Sequence, residues 1–159
     1  MKRRGFTLVE VLVMVLFIGI ALVGLFAANT VFTQVNGAGA DLSTAEFLIE
    51  QIKELTAQLP VLDPDVVGSP TFGAEEAGVA LYDDLDDFDG ITLSPPIDAY
   101  RQSLNDFSAF SQQITVQNVS PADFEQVVAD LASNFIRVTV TVYLNSERLS
   151  SASWVRAEY

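Results

Sequence analysis

The chain has 159 residues, 8 basic and 21 acidic, and a formal net charge of −13. It has no cysteine and no histidine, which removes thiol chemistry, disulfides and the commonest general base and metal ligand. A surface this acidic repels phosphate backbones, so nucleic acid is not an expected partner, whereas divalent cations and basic proteins are.

Lys2, Arg3, Arg4 and Gly5 lead into an apolar run over residues 6–28. At about 1.5 Å rise per residue a helix of that length spans roughly 35 Å, enough to cross a bilayer. The basic flank puts Met1 in the cytoplasm and the remainder outside. Glu10 sits inside the apolar run, where hydrocarbon disfavours a carboxylate. A cleaved secretory signal needs a shorter core and a nearby small-x-small site, and Ala38-Gly39-Ala40 lies well beyond the end of the run. A plain signal anchor accounts for everything except Glu10. Gly19 and Gly24 suit close packing between membrane helices.

Residues 29–40 contain Gly37 and Gly39, each costing about 1 kcal/mol in a helix relative to alanine. They predict a flexible, unwound stretch just outside the membrane. Helix signals resume at 41, with Asp41 or Ser43 as cap and Pro60 as stop. Ala45, Leu48, Ile49, Ile52, Leu55 and Leu59 recur at three- and four-residue steps and form one apolar stripe. Glu46, Glu50, Lys53 and Glu54 fall mostly opposite, so the stripe must be buried against another element.

Prolines and glycines at 60–78 read as loop. The acidic stretch "DDLDDFDG" follows, holding Asp83, Asp84, Asp86, Asp87, Asp89 and Gly90. Calcium, which takes six to eight oxygens, is the sharp expectation for these five aspartates. The EF-hand pattern does not fit: counted from Asp84, position five is Phe88 and position twelve is Pro95. The plainer expectation is a solvated acidic turn, with Leu85 and Phe88 anchored inward. Residues 111–119 read as a strand. Residues 120–133 read as a short helix with Ser120 as N-cap, Pro121 at its first position and an apolar face of Val127, Val128 and Leu131. The alternation of Ile136, Val138, Val140, Val142 and Leu144 with polar partners is the clearest strand. A turn at 145–148 returns the chain as a final strand. The fold class is therefore α+β, a long helix whose second half packs on a small antiparallel sheet.

The order Lys2-Arg3-Arg4-Gly5 then Phe6-Thr7-Leu8-Val9-Glu10 resembles the type III signal of type IV pilins and pseudopilins. The resemblance implies cleavage by a prepilin peptidase after Gly5 and N-methylation of the new N-terminus at Phe6. It divides the chain into a leader at 1–5, a transmembrane and filament-core helix at 6–28, a flexible stretch at 29–40, and a pilin-like domain at 41–159. It also implies that Glu10 is an assembly charge, paired with the Phe6 amine of a neighbouring subunit. "YDDLDDFDG", "ITVQ", "IRVTVTVYL" and "WVRAEY" are similar to mannose-sensitive haemagglutinin (MSHA) minor pilins of the MshD-like group. What this implies is a structural subunit of a type IV pilus, held in the bacterial inner membrane with its C-terminal domain periplasmic, then passed into the filament or its tip complex. Its partners would be other pilin subunits, the prepilin peptidase and the inner-membrane assembly platform. A type II secretion pseudopilin and a membrane-anchored tip adhesin stay open as alternatives. An enzyme is not expected, because no residues meet the geometric roles of a catalytic site. No cofactor is expected, calcium at the aspartates excepted.

Overall fold

The computed structural model describes residues 7–61 and 72–158. The expected leader, the cleavage point Gly5–Phe6 and most of the proline-rich loop lie outside these residues. The chain divides into two compact units, Met1–Ala40 and Asp41–Tyr159.

Helix α1 runs over Leu8–Ala57, 50 residues. It does not unwind at 29–40, and no new helix begins at Asp41 or Ser43. Glycine lowers helix propensity but keeps its N–H donor, and the chain from 8 to 57 holds no proline to remove one. Ala38 and Ala40 are strong helix formers beside the two glycines. Thr30 and Thr33 donate their hydroxyls to the carbonyls of Phe26 and Asn29, at 3.0 and 2.9 Å, so neither polar side chain disrupts the ladder.

In the first unit the helix is apolar and its large side chains are exposed, among them Leu12, Phe17, Ile20, Val23 and Phe26. This one helix is long and apolar enough to cross a membrane.

The second unit is an α+β layout in which the remainder of α1 packs on an antiparallel sheet. Strands β1 (Thr92–Leu93), β2 (Phe110–Ser120), β4 (Phe135–Leu144) and β5 (Glu147–Ala157) lie in the spatial order β1-β2-β4-β5, and β3 (Asp123–Val127) pairs with the end of β2. Period-two alternation puts Ile114 and Val116 of β2 opposite Val140 and Val138 of β4, all buried. Ala45, Leu48, Ile49, Ile52 and Leu55 of α1 fill the same core. The β4–β5 turn has Asn145 and Ser146 at φ of 50° and 71°, the two-residue geometry that matches strand twist.

Two polar side chains, the buried Gln112 and the half-buried Arg156, fasten helix to sheet. Gln112 lies in the apolar row of β2, opposite Val142. Its Nε2 donates to the carbonyls of Leu48 at 2.9 Å and Ile97 at 3.2 Å, and its Oε1 accepts from the Ile97 N–H at 2.8 Å. Arg156 of β5 donates to the Thr56 carbonyl, and to that of Leu59 at 2.9 Å. Thr56 lies in the last turn of α1 and Leu59 just beyond it, where carbonyls lack the regular partners of the helix interior.

The expected helix at 120–133 is a strand followed by turns. Ser120 and Pro121 begin a turn, and Asp123–Val127 folds back on β2. Asn118 holds the excursion from below: its carbonyl accepts from Val128 N–H at 2.9 Å, its Oδ1 from Leu131 N–H at 2.9 Å, and its Nδ2 donates to Ser133 at 2.7 Å. Arg137 on β4 donates to the Phe124 carbonyl at 3.1 Å and pairs with Glu125 at 3.3 Å. These bonds to neighbouring strands outweigh a weak local helix preference.

Candidate functional site

Two places carry chemistry that the core does not need. The first is the start of α1. Thr7 precedes the helix and Glu10 lies three residues on. The Thr7 N–H and hydroxyl both donate to Glu10 Oε2 at 2.8 Å, and the Glu10 N–H reaches Thr7 Oγ1 at 3.3 Å. This is a reciprocal capping box, in which each side chain satisfies the other's orphan backbone donor. It gives Glu10 a partner within its own chain and explains a carboxylate at the head of an apolar run. The Thr-x-x-Glu spacing ahead of apolar residues is its sequence signature.

The second is the acidic turn, where the expectation of a solvated loop fails. Leu85 and Phe88 are fully buried, as expected, and the 3₁₀ turn Asp86–Phe88, which Leu85 precedes and Phe88 ends, goes in with them. Asp84, Asp86 and Asp87 are then buried at 1%, 1% and 0% exposure. Phe88 meets Tyr82 edge-on at 5.1 Å. The Asp87 Oδ2 accepts from the N–H groups of Asp83 at 3.0 Å and Asp84 at 3.4 Å, and Asp84 Oδ1 accepts from Asp87 N–H at 3.2 Å. Asp86 Oδ2 accepts from Gly73 N–H at 3.0 Å. Asp89 faces the sheet instead. Its Oδ1 takes the Val116 N–H of β2 at 2.7 Å, next to the Ile91 carbonyl that takes the Ile114 N–H at 3.0 Å. The carboxylate thus continues the β1 side of the ladder where the strand itself has ended.

Two carboxylate groups form on this turn. Glu75, Asp84 and Asp87 make one, and Glu76, Asp83 and Asp87 the other, with one oxygen from each member within 4.8 Å of the rest. Of the five aspartates to which the sequence points, Asp84 and Asp83 each join Asp87, in separate groups, while Asp86 and Asp89 stand outside both. Glu75 and Glu76 carry no such signal in the sequence. They lie eight or so positions upstream, and only the fold brings them in.

Burial raises the Asp84 pKa to about 8, with the adjoining Asp86 carboxyl adding to the effect. Burial also raises Asp86, and the Asp87 carboxyl lying against Glu76 raises that residue. A carboxyl whose pKa is higher folded than unfolded holds a proton that the unfolded chain releases. The protonated fold keeps its full stability below the unfolded value of 3.8 and loses it as pH rises toward 8. In chelator-treated protein we expect stability to fall between pH 5 and pH 8, by on the order of a few kcal/mol. Thermal melts of wild type and Asp84→Asn check this. The wild-type slope should exceed the variant's, and parallel slopes would show that Asp84 is not neutral in the fold.

No protein family, no curated protein and no solved structure matches the chain.

Proposed function

We propose that the chain is a structural subunit of the type IV pilin class, a minor pilin that is processed by a prepilin peptidase and assembled into a filament or its tip complex. The observation that carries this reading is the order Lys2-Arg3-Arg4-Gly5-Phe6-Thr7-Leu8-Val9-Glu10, set directly ahead of a helix that begins at Leu8 and is apolar and exposed in its first unit. An exposed apolar helix is stable only in lipid or against other apolar helices, and both environments belong to the proposed life of the subunit. The antiparallel sheet on the second part of α1 supports the reading as a compact domain to be displayed on such a helix.

Glu10 then has two roles. It caps its own helix through Thr7, and in the assembled filament its charge pairs with the Phe6 amine of a neighbour. The two separate by substitution. Glu10→Gln keeps an acceptor for the Thr7 N–H but carries no charge, whereas Glu10→Ala loses both. We expect both variants to be cleaved normally and both to enter filaments at least about tenfold less than wild type. Filament incorporation of Glu10→Gln at the wild-type level would leave only the cap. Intact mass and N-terminal sequencing of the membrane-extracted protein should show a start at N-methyl-Phe6, and a start at Met1 or Asp41 would sink the proposal.

A further inference from the structure

We propose that the carboxylates around Asp87 on the turn ahead of β1, with Glu76 and Asp83 in one group and Glu75 and Asp84 in the other, form a calcium site. The inference stands on the turn itself and is independent of the pilin reading.

The donor set comes first. It is made only of carboxylate oxygens, and the chain offers no cysteine or histidine to a softer metal. Calcium binds such oxygens at 2.3–2.6 Å, so two oxygens on opposite sides of one ion stand at most about 5 Å apart. In each group one oxygen per residue lies within 4.8 Å of the other two, close enough for a single ion to touch all three. Magnesium keeps several waters and takes one or two protein carboxylates, so groups of three suit it less.

A second observation concerns atoms rather than composition. Asp87, shared by both groups, is fully buried, and its Oδ2 is held by two backbone N–H groups. Its Oδ1 and Glu76 Oε2 are buried with no N–H or hydroxyl donor, as is Asp86 Oδ1 beside the groups, and the Asp87 and Glu76 carboxyls lie against each other. A buried carboxylate oxygen without a donor is costly, and a cation in the same cluster removes that cost for the Asp87 and Glu76 atoms at once. Rigidity is the third support. Leu85 and Phe88 fix the turn in the core, and Asp84 and Asp87 each accept from the other's backbone, so the ligands are positioned before any ion arrives. The ligands come from two segments, 75–76 and 83–87, which is why no single-loop template fits the sequence.

The test is calorimetric titration of the full-length chain in a non-ionic detergent with calcium chloride, then magnesium chloride, paired with thermal melts. We expect saturable calcium binding, a rise in melting temperature with calcium, and weaker binding of magnesium. Glu76→Gln and Asp87→Asn should each weaken calcium at least about tenfold. Asp106→Asn, at an exposed carboxylate elsewhere, should leave it unchanged. Glu76 is less buried than Asp87, so its variant reports on the site even if Asp87→Asn fails to fold. Absence of saturable heat and of any melting shift at millimolar calcium overturns the proposal. Wild-type affinity in Glu76→Gln, or an equal loss in Asp106→Asn, overturns it as well.

Discussion

Phe88→Ala is expected to destabilise the second unit by about 3–5 kcal/mol, a large part of what a domain of this size has in total. Phe88 has no exposed surface, packs edge-on against Tyr82, and belongs to the core that includes Ile49 and Ile52. Its removal leaves a cavity that neighbours on a rigid sheet can fill only in part. The same side chain holds the 3₁₀ turn in place, so the proposed calcium site should weaken together with stability. The single tryptophan, Trp154, packs at the edge of the core and reports unfolding in denaturant titrations. A loss below about 1 kcal/mol would mean that Phe88 is not the anchor of the turn.

Gln112→Leu tests the polar fastening with little change in volume. Leucine fills most of the space but can neither accept from Ile97 N–H nor donate to the carbonyls of Leu48 and Ile97. We expect a loss of about 2–4 kcal/mol, most of it from the orphaned Ile97 donor. Hydrogen exchange at Ile97 should quicken more than at Ile114, whose N–H bonds to Ile91 and does not depend on the glutamine. A neutral or stabilising substitution would show that the buried amide is replaceable by apolar packing, as some buried polar groups are.

Much of this fold is legible in the sequence because β2 and β4 alternate between buried and more exposed residues. Val138, Val140 and Val142 declare their face without help, and the helix stripe from Ala45 to Leu55 declares its own. Period two also puts Gln112 and Asn118 on the buried face beside Ile114 and Val116, but a polar side chain in that row predicts a partner without naming it. The segment after β2 misleads for a related reason. Ser120 and Pro121 are honest turn formers, and only Asn118 and Arg137, outside the segment, decide that a strand follows. Gly37 and Gly39 mark a weak point in a helix that stays formed. The acidic turn reads correctly as a cluster of carboxylates and incorrectly as a solvated one. Residue by residue each aspartate prefers water, whereas Leu85 and Phe88 draw their charged neighbours down as one rigid turn. Thr7 and Glu10 carry a local capping signature that the membrane context overshadows.

The amide of Gln112 grips the main chain of α1 at Leu48, and Arg156 grips the chain again at Thr56 and Leu59. Neither grip depends on which side chains the helix carries at those points. Substitution along the stripe can therefore drift while the alignment persists. A helix that slid by one residue under tension would move its carbonyls by about 1.5 Å and break both grips together. Within the second unit the joint between helix and sheet is therefore pinned at two separated points, and shear must break both before the apolar layer between them slips.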